Sequence, residues 1–375
     1  MRIAIDARAL QWTGIGRYTR TLLGALATQK TKDEYVVLIA PKDVKAFNHL
    51  KTTALDERFT PHVVDGSYYS WREQTIFWRQ LQTIDADLFH FTHFNVPWAF
   101  RRPYVVTIHD ITRFIFPGQR RQDVWQQVSY EFIFKRAVEQ ARGIICVSQT
   151  TADDLRSLPL HLRGEVVVIH ESIDPVFLTR APMAPRQKVR MLIGTDEPYV
   201  LFVGVWMSHK NILRLLAAYA AVLKNYPHLK LVLTGRPKPG YSDIVRLTRH
   251  YGIERQVIFA GFVPHELLPA LYAEATCFVL PSLYEGFGLP LLEAAASGIP
   301  IVAANVASIP EIIGDGAVYC NPEDEASITR AIQAVLTDSV LRQRIIAAAT
   351  KRIALFQEQQ MVAQHQKVYE QVMHK

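Results

Sequence analysis

Short runs of β-branched and aliphatic residues alternate along the chain with longer stretches whose apolar positions recur at helical spacing. That alternation is the signature of βαβ units building parallel sheets. In the first half it predicts strands at Arg2–Asp6, Tyr35–Ala40, Leu88–Phe91, Tyr104–His109, Gly143–Val147 and Glu165–Ile169. Helical periodicity fills Gly16–Ala27, Trp71–Thr83, Asp123–Gln140 and Thr150–Ser157. The second half repeats the rhythm, with strands at Tyr199–Val203, Lys230–Leu233, Gln256–Ala260, Cys277–Leu280 and Pro300–Ala303. Its helices are expected over His209–Leu223, Ser242–Tyr251, His265–Glu274, Leu289–Ser297, Glu323–Leu336 and Ser339–Ala354. A last helix near Gln357–Met373 follows and is placed to pack back on the first half.

Between the halves, Thr179–Arg186 carries prolines without periodicity, the composition of a linker. The reading is an α/β chain of two Rossmann-like domains with a cleft between them: residues 1–182, residues 183–355, and a C-terminal helix over 356–375. A length of 375 residues agrees, since single cores rarely grow past about 250–300 residues. Ligands of open α/β sheets bind outside the carboxyl ends of the strands, so the strand-to-helix loops are where chemistry is expected.

Composition narrows the classes. Hydrophobic residues make up 49% and charged residues 21%, which excludes a disordered or collagen-like chain. The opening Met1–Arg8 puts charges where a signal peptide needs its apolar run, and no stretch reaches the roughly 18–20 apolar residues of a membrane span. A soluble, cytoplasmic protein is expected. Cys146, Cys277 and Cys320 lie far apart without metal-ligand spacing and read as small buried hydrophobes. Asp85-Ala86-Asp87, at a helix end, reads as solvated or structural; His90 and His93 lack a third ligand at recognisable spacing, although either could line an acceptor cleft. No metal is implied. A net charge of +7 suits phosphorylated substrates, an anionic membrane surface or nucleic acid. No helix-turn-helix, zinc finger or RNA-binding aromatic motif is present, so nucleic acid ranks last.

The most informative stretch is Pro281-Ser282-Leu283-Tyr284-Glu285-Gly286-Phe287-Gly288-Leu289-Pro290-Leu291-Leu292-Glu293, which leaves an apolar strand and opens a helix. Gly286 and Gly288 let backbone approach a ligand, and the helix start at Phe287–Leu289 offers amides to an anion. Glu285 and Glu293, read as lying in the loop and the first helical turn, would repel a phosphate but accept hydrogen bonds from a vicinal diol. Phosphate flanked by diols describes a nucleotide-sugar. The plainer alternative is that the glycines shape a turn and Glu293 complements the helix dipole.

These residues resemble the retaining family-four glycosyltransferases of GT-B fold, a likeness that continues through Glu293–Ala303 and Ser308–Asp315 and spans both domains. It implies transfer of a sugar from a nucleotide-sugar, with Glu285 on hydroxyls of the transferred sugar and Glu293 on the ribose. Within Val203–Asn211, Ser208 can cap the following helix and leave Lys210 in its first turn, where a cation opposes the dipole unless an anion faces it. The family places a lysine here against the donor pyrophosphate, commonly after an arginine. His209 holds that arginine position, and Val205 stands where some members have another arginine, so neutralisation falls on Lys210. In the family a histidine at the position of His109 contacts the transferred sugar, and the loop holding Gly14 and Gly16 lies near acceptor and donor phosphates. Arg236 is a weaker candidate for phosphate or base. Thr19 occupies the third glycine position of a dinucleotide fingerprint, which removes the main support for a dehydrogenase.

The run His109–Pro117 is similar to bacterial polysaccharide mannosyltransferases. The resemblance therefore implies GDP-mannose as donor, no metal, and a glycan or polyprenyl-linked glycan as acceptor. An epimerase acting on UDP-sugars and an inactive nucleotide-sugar binder are the competing readings. Between Arg101 and Thr150, eight basic residues face four acidic ones, with the pairs Arg101-Arg102 and Arg120-Arg121 among Phe114, Phe116, Trp125, Tyr130, Phe132 and Phe134. Such a face suits a peripheral membrane enzyme, or else an ordinary aromatic core under a solvated basic surface.

Overall fold

The computed structural model describes residues 1–116, 121–179, 183–235 and 243–374, with the side chains of 121–126, 183 and 184 left out. It divides into two compact units, Met1–Ser172 with Phe356–Lys375, and Ile173–Leu355.

The first unit is built on a parallel sheet of β1 (Arg2–Asp6), β2 (Glu34–Ile39), β3 (Phe59–Val63), β4 (Leu88–Phe91), β5 (Tyr104–Ile108), β6 (Gly143–Cys146) and β7 (Glu165–Val168). Their order is β3-β2-β1-β4-β5-β6-β7. The residues of β4, β5 and β6 are buried throughout, as expected of parallel strands covered on both faces. The order reverses between β1 and β4, which makes the loops after these two strands the topological switch point. Helix Glu358–His374 belongs to this unit. Its Met361, Val362, Val368, Tyr369 and Val372 join the core formed by Ile3, Ile5, Leu22 and Leu26.

A buried polar chain ties that helix down, and its protons can be assigned. His365 Nδ1 must donate to the Met361 carbonyl at 2.8 Å. Its Nε2 then accepts from Tyr18 Oη at 2.7 Å, Tyr18 accepts from Thr107 at 3.0 Å, and Thr107 accepts from His90 Nε2 at 2.8 Å. His90 Nδ1 finally accepts from Tyr369 Oη at 2.7 Å. Both ends lie on one helix, and both imidazoles are neutral because burial pushes them down, His365 to about 4. His90 is thus a structural group and lines no cleft.

The second unit carries β8 (Tyr199–Phe202), β9 (Lys230–Thr234), β10 (Val257–Gly261), β11 (Cys277–Leu280), β12 (Ile301–Ala304) and β13 (Val318–Cys320). Their order is β10-β9-β8-β11-β12-β13, with the switch point between β8 and β11.

The units part at Ser172/Ile173, ahead of the boundary at 182/183 expected from the prolines. The reason is packing. Buried Phe177 sets its ring 5.9 Å from that of Tyr272, and Asp174 accepts from His265 Nε2 at 2.8 Å. Nor is Thr179–Arg186 wholly a linker: helix Met183–Ile193 starts within it, since a proline in the first turn lacks only an N–H that has no helical partner. Strand β3 escaped the sequence pattern because it is an exposed edge strand with Pro61 at its centre. Helix Val44–Thr53 and the three-residue β13 are further elements that the pattern did not reveal.

Candidate active site

In the second unit both switch-point loops carry sequence-predicted residues. After β8 the chain makes a 3-10 turn, Ser208–Lys210, and helix Ile212–Leu223 begins only after Asn211, which holds φ at 59°. Ser208 therefore does not cap that helix, and Lys210 lies ahead of its first turn. Asn211 instead fastens the loops, its amide donating to the carbonyls of Pro281 at 3.0 Å and Pro322 at 2.6 Å. Leu283 N donates to the His209 carbonyl at 2.7 Å, so the loop after β11 is bonded to the loop after β8.

This brings Lys210 onto Glu285. The ammonium contacts Oε1 at 2.8 Å and Oε2 at 2.7 Å, and Ser282 Oγ donates to Oε1 at 2.6 Å. The side chains are 20% and 9% exposed, so the pair is largely shielded without being sealed. Ser308 Oγ holds the Glu285 carbonyl at 2.9 Å and the Phe287 carbonyl at 3.0 Å. Gly288 follows at φ 100°, a left-handed conformation that favours glycine, and heads helix Leu289–Ala296. Pro290 lacks an N–H and Leu291 N bonds to Gly288 O, which leaves the amides of Gly288 and Leu289 as the helix-start donors. The balance of acceptors is informative. Glu285 Oε2 retains a lone pair and the ammonium a third N–H, so the pair can take a hydroxyl and an anionic oxygen together.

Glu293 departs from expectation. It is the fifth residue of its helix rather than part of the first turn, 1% exposed, and accepts from Tyr272 Oη at 2.7 Å. The dipole explanation fails with that placement. Arg236 lies outside the described residues.

In the first unit His109 follows β5, with Nδ1 2.9 Å from Glu171 Oε1 and Nε2 2.9 Å from the Thr92 carbonyl. Both partners are acceptors, so the imidazolium form satisfies both. Burial opposes that charge, but the hydrogen bond and charge of Glu171, with the Thr92 carbonyl, hold the group above its ordinary value. The ring edge of Tyr18 packs at 4.8 Å from His109. With both nitrogens engaged, the histidine can offer a ligand its charge and ring but no ring acceptor. Gly16 is required sterically, because a Cβ would fall 2.6 Å from the Ala9 and Leu10 carbonyls, whereas Gly14 faces open space.

Sequence reasoning missed Ser282, Ser308, Asn211 and Glu171 as supports; the first three stood inside the motif stretches, but nothing in the sequence marked their bonds. Asp85 and Asp87 both make structural bonds: Asp87 accepts from Arg2 N and Asp85 pairs with the Arg2 guanidinium, both at 2.7 Å. Among the basic pairs, Arg101 bonds to the Trp98 and Phe100 carbonyls and Arg102 to those of Leu81, Ile84 and Ala86. Tyr130 and Phe134 are core residues, whereas Phe132 is half exposed. Arg120 and the side chains of Arg121 and Trp125 lie outside the described residues. No helix among the described residues is long and apolar enough to cross a membrane.

Residues 12–177 match the family described as Glycosyltransferase Family 4, and residues 184–352 the family described as Glycosyl transferases group 1. The chain is 30% identical over 347 residues to O-antigen chain mannosyltransferase B of Escherichia coli, covering 88% of this chain and 89% of that protein. It is also 30% identical over 271 residues to the serotype-specific mannosyltransferase WbdA of Escherichia coli, covering 70% of this chain but 32% of the longer relative. Of solved structures, sucrose-phosphate synthase from Thermosynechococcus elongatus superposes with a TM-score of 0.79 at 22% identity, covering 99% of each chain. HepE of Anabaena, solved with UDP and glucose, gives 0.77 at 20% identity over 99% of this chain and 100% of that one. These two carry the fold, and the sequence matches carry the membership: the chain belongs to the family-four glycosyltransferases of GT-B fold.

Proposed function

We propose that this glycosyltransferase moves mannose from GDP-mannose to a glycan, or to a polyprenyl-linked glycan, in polysaccharide assembly, with retention at the anomeric carbon and without a metal. The observation that carries the reading is the Lys210–Glu285 pair at the switch point of the second sheet. Such a pair suits a substrate with phosphate beside sugar hydroxyls. The relatives named as mannosyltransferases support the choice of mannose.

In this reading Lys210 and the amides of Gly288 and Leu289 stabilise the leaving diphosphate as its charge develops. Glu285 orients hydroxyls of the mannose. Glu293 takes the ribose diol, exchanging its bond from Tyr272 as the donor enters. His109 adds positive charge at the carboxyl edge of the first sheet. No side chain stands out as a covalent nucleophile, so the acceptor hydroxyl adds on the face the diphosphate leaves and passes its proton to the departing phosphate oxygen.

Incubation with radiolabelled GDP-mannose, UDP-glucose and UDP-N-acetylglucosamine, without acceptor, tests this. Slow hydrolysis of GDP-mannose is the expected outcome. Conversion of an intact UDP-sugar to its epimer would make the chain an isomerase, and no turnover of any donor would make it a binder.

Membrane contact at the cytoplasmic face belongs to the same reading. Val128, Phe132 and Trp98 of the first unit are 53%, 51% and 44% exposed, and each cation near an anionic surface adds about 1 kcal/mol. Sedimentation with phosphatidylglycerol vesicles at low salt should carry part of the protein down, and Arg120→Glu with Arg121→Glu should abolish this. A wild-type protein left wholly in the supernatant overturns it.

A further inference from the structure

At the carboxyl edge of the first sheet, His109 stands just past the end of β5, and three other elements close on it. Thr92, after β4, presents its carbonyl to Nε2 at 2.9 Å. Glu171, just beyond β7, reaches past the end of β6 and presents Oε1 to Nδ1 at 2.9 Å. Tyr18, on helix Gly14–Ala27, covers the ring edge-on at 4.8 Å. The segment carrying Glu171 is itself fixed. Ile169 N donates to the Cys146 carbonyl at 2.9 Å, and Ser172 Oγ donates to Met361 Sδ on the C-terminal helix at 3.6 Å. The Glu171 side chain is 6% exposed and that of His109 11%, so the imidazole is the partner that keeps an edge at the surface.

These contacts count protons. A carbonyl oxygen only accepts, so Nε2 carries a hydrogen. A carboxylate also only accepts, so Nδ1 carries one too unless the proton moves onto Glu171. A neutral imidazole beside a carboxylate would leave one of the two contacts as lone pair against lone pair. The titratable groups packed around the ring agree. Asp110 gives one oxygen to Thr112 N at 2.8 Å and adds negative charge beside His109. His90 and His93 are held neutral by burial, His93 down to about 3, and bring no like charge. Burial pushes the Tyr18 hydroxyl up, so it stays uncharged.

We propose that Glu171 is a positioning residue that keeps His109 doubly protonated and fixed in place, so that the first sheet offers the glycosyl-transfer site a preorganised cation. Buried ion pairs add little stability over apolar residues of similar size, which leaves the charge and its placement as what this pair supplies. It lies at the edge where ligands of open α/β sheets bind. A cation already held there needs no reorganisation when charge develops on a leaving diphosphate. The use of that cation in transfer rests on the reading above; the ion pair itself does not.

The test begins with the resting protein. Its histidines are labelled with 15N, and the His109 signals are identified by their loss in His109→Gln. Wild type should show two protonated nitrogens on His109 at neutral pH. In Glu171→Gln, which fills the same space without charge, the midpoint for losing one of them should fall by about one to two pH units, since a close opposite charge moves a pKa by about 1–3. Glu171→Asp, which keeps the charge, should titrate between the two. Hydrolysis of GDP-mannose should follow the same titration. Only the form below the midpoint is cationic, so the rate falls as pH rises through it, and in Glu171→Gln that fall comes at lower pH. At neutral pH kcat should drop about tenfold for each pH unit of displacement, with a smaller change in KM. In a His109→Gln background the same substitution should cost about twofold or less, because its effect passes through the histidine. An unmoved midpoint in Glu171→Gln overturns the proposal. So does a single protonated nitrogen in wild type at neutral pH, or a loss of rate from Glu171→Gln that is equal with and without His109. A displaced midpoint with no turnover of any donor would retain the ion pair and overturn the transferase reading.

Discussion

With GDP-mannose as the proposed donor, Lys210→Ala is expected to lower turnover about a hundredfold, since loss of one fixed donor to a developing anion costs roughly 10²–10³ in rate. Leaving-group charge grows toward the transition state, so the loss should fall on kcat as well as on GDP affinity, while guanosine binds mutant and wild type alike. The backbone of the loop should survive, because Asn211, Ser308 and the Leu283–His209 bond hold it independently of the lysine. The geometry adds a finer expectation. In the mutant, Glu285 keeps the hydrogen bond from Ser282 and, on the proposed reading, faces the incoming diphosphate as an uncompensated charge. Adding Glu285→Gln to Lys210→Ala should therefore restore part of the GDP affinity without restoring turnover. Glu285→Gln alone should cost at least tenfold in kcat, from a charge-assisted hydrogen bond of roughly 1.5–3 kcal/mol, and leave GDP bound as well or better. Isothermal titration with GDP and guanosine, beside initial rates on the four proteins, decides the matter. Near-normal turnover in a folded Lys210→Ala protein would remove the lysine from the site.

The part of this site that the sequence makes legible is the part written locally. Glycine, proline and glutamate at fixed spacing between an apolar strand and a helix mark the loop after β11, and Lys210 sits at the end of a comparable loop. Pairing is another matter. That Lys210 closes on Glu285, 75 positions away, depends on β8 and β11 lying side by side at the switch point. Spacing along the chain does not encode that adjacency. Elements followed the same division. Strands buried on both faces were visible as apolar runs, while β3, an exposed edge strand around Pro61, had no pattern to show. Prolines misled at Thr179–Arg186, because composition alone cannot distinguish a linker from a helix whose first turn tolerates them.

The buried cluster around Arg8 shows what such reading passes over. Asp6 and Arg8 lie two apart at a strand end, which sets them on one side of the chain, and their charge served only to argue against a leader segment. Nothing local announces that both are about 1% exposed with Glu73 fully buried beside them. The Lys210–Glu285 pair and the Arg8 cluster nonetheless share a topological setting: each draws on the loops where strand order reverses, β8 with β11 and β1 with β4, the second adding the loop after β3.

Arg8→Ala is expected to destabilise the first unit by about 3–5 kcal/mol, the cost of stripping one partner from a buried ion pair. Two carboxylates would then share a site without a cation, and Glu73, already held above the ordinary carboxylate range by burial, would have to bind a proton or draw in water. The guanidinium also lies 3.6 Å from the Phe77 ring centre, so its loss opens a packing defect as well. Against a typical domain stability of roughly 5–15 kcal/mol, that is enough to lower the midpoint of a urea transition followed by tryptophan fluorescence. Arg8→Lys should recover little, since a point charge cannot reproduce the fork that grips Asp6 while reaching Glu73. Removing the charges together, as Asp6→Asn, Arg8→Met and Glu73→Gln, should cost much less than Arg8→Ala alone, because desolvation is relieved along with attraction. An Arg8→Ala protein that melts like the wild type would mean that water reaches these carboxylates in solution and that the cluster contributes little to the fold.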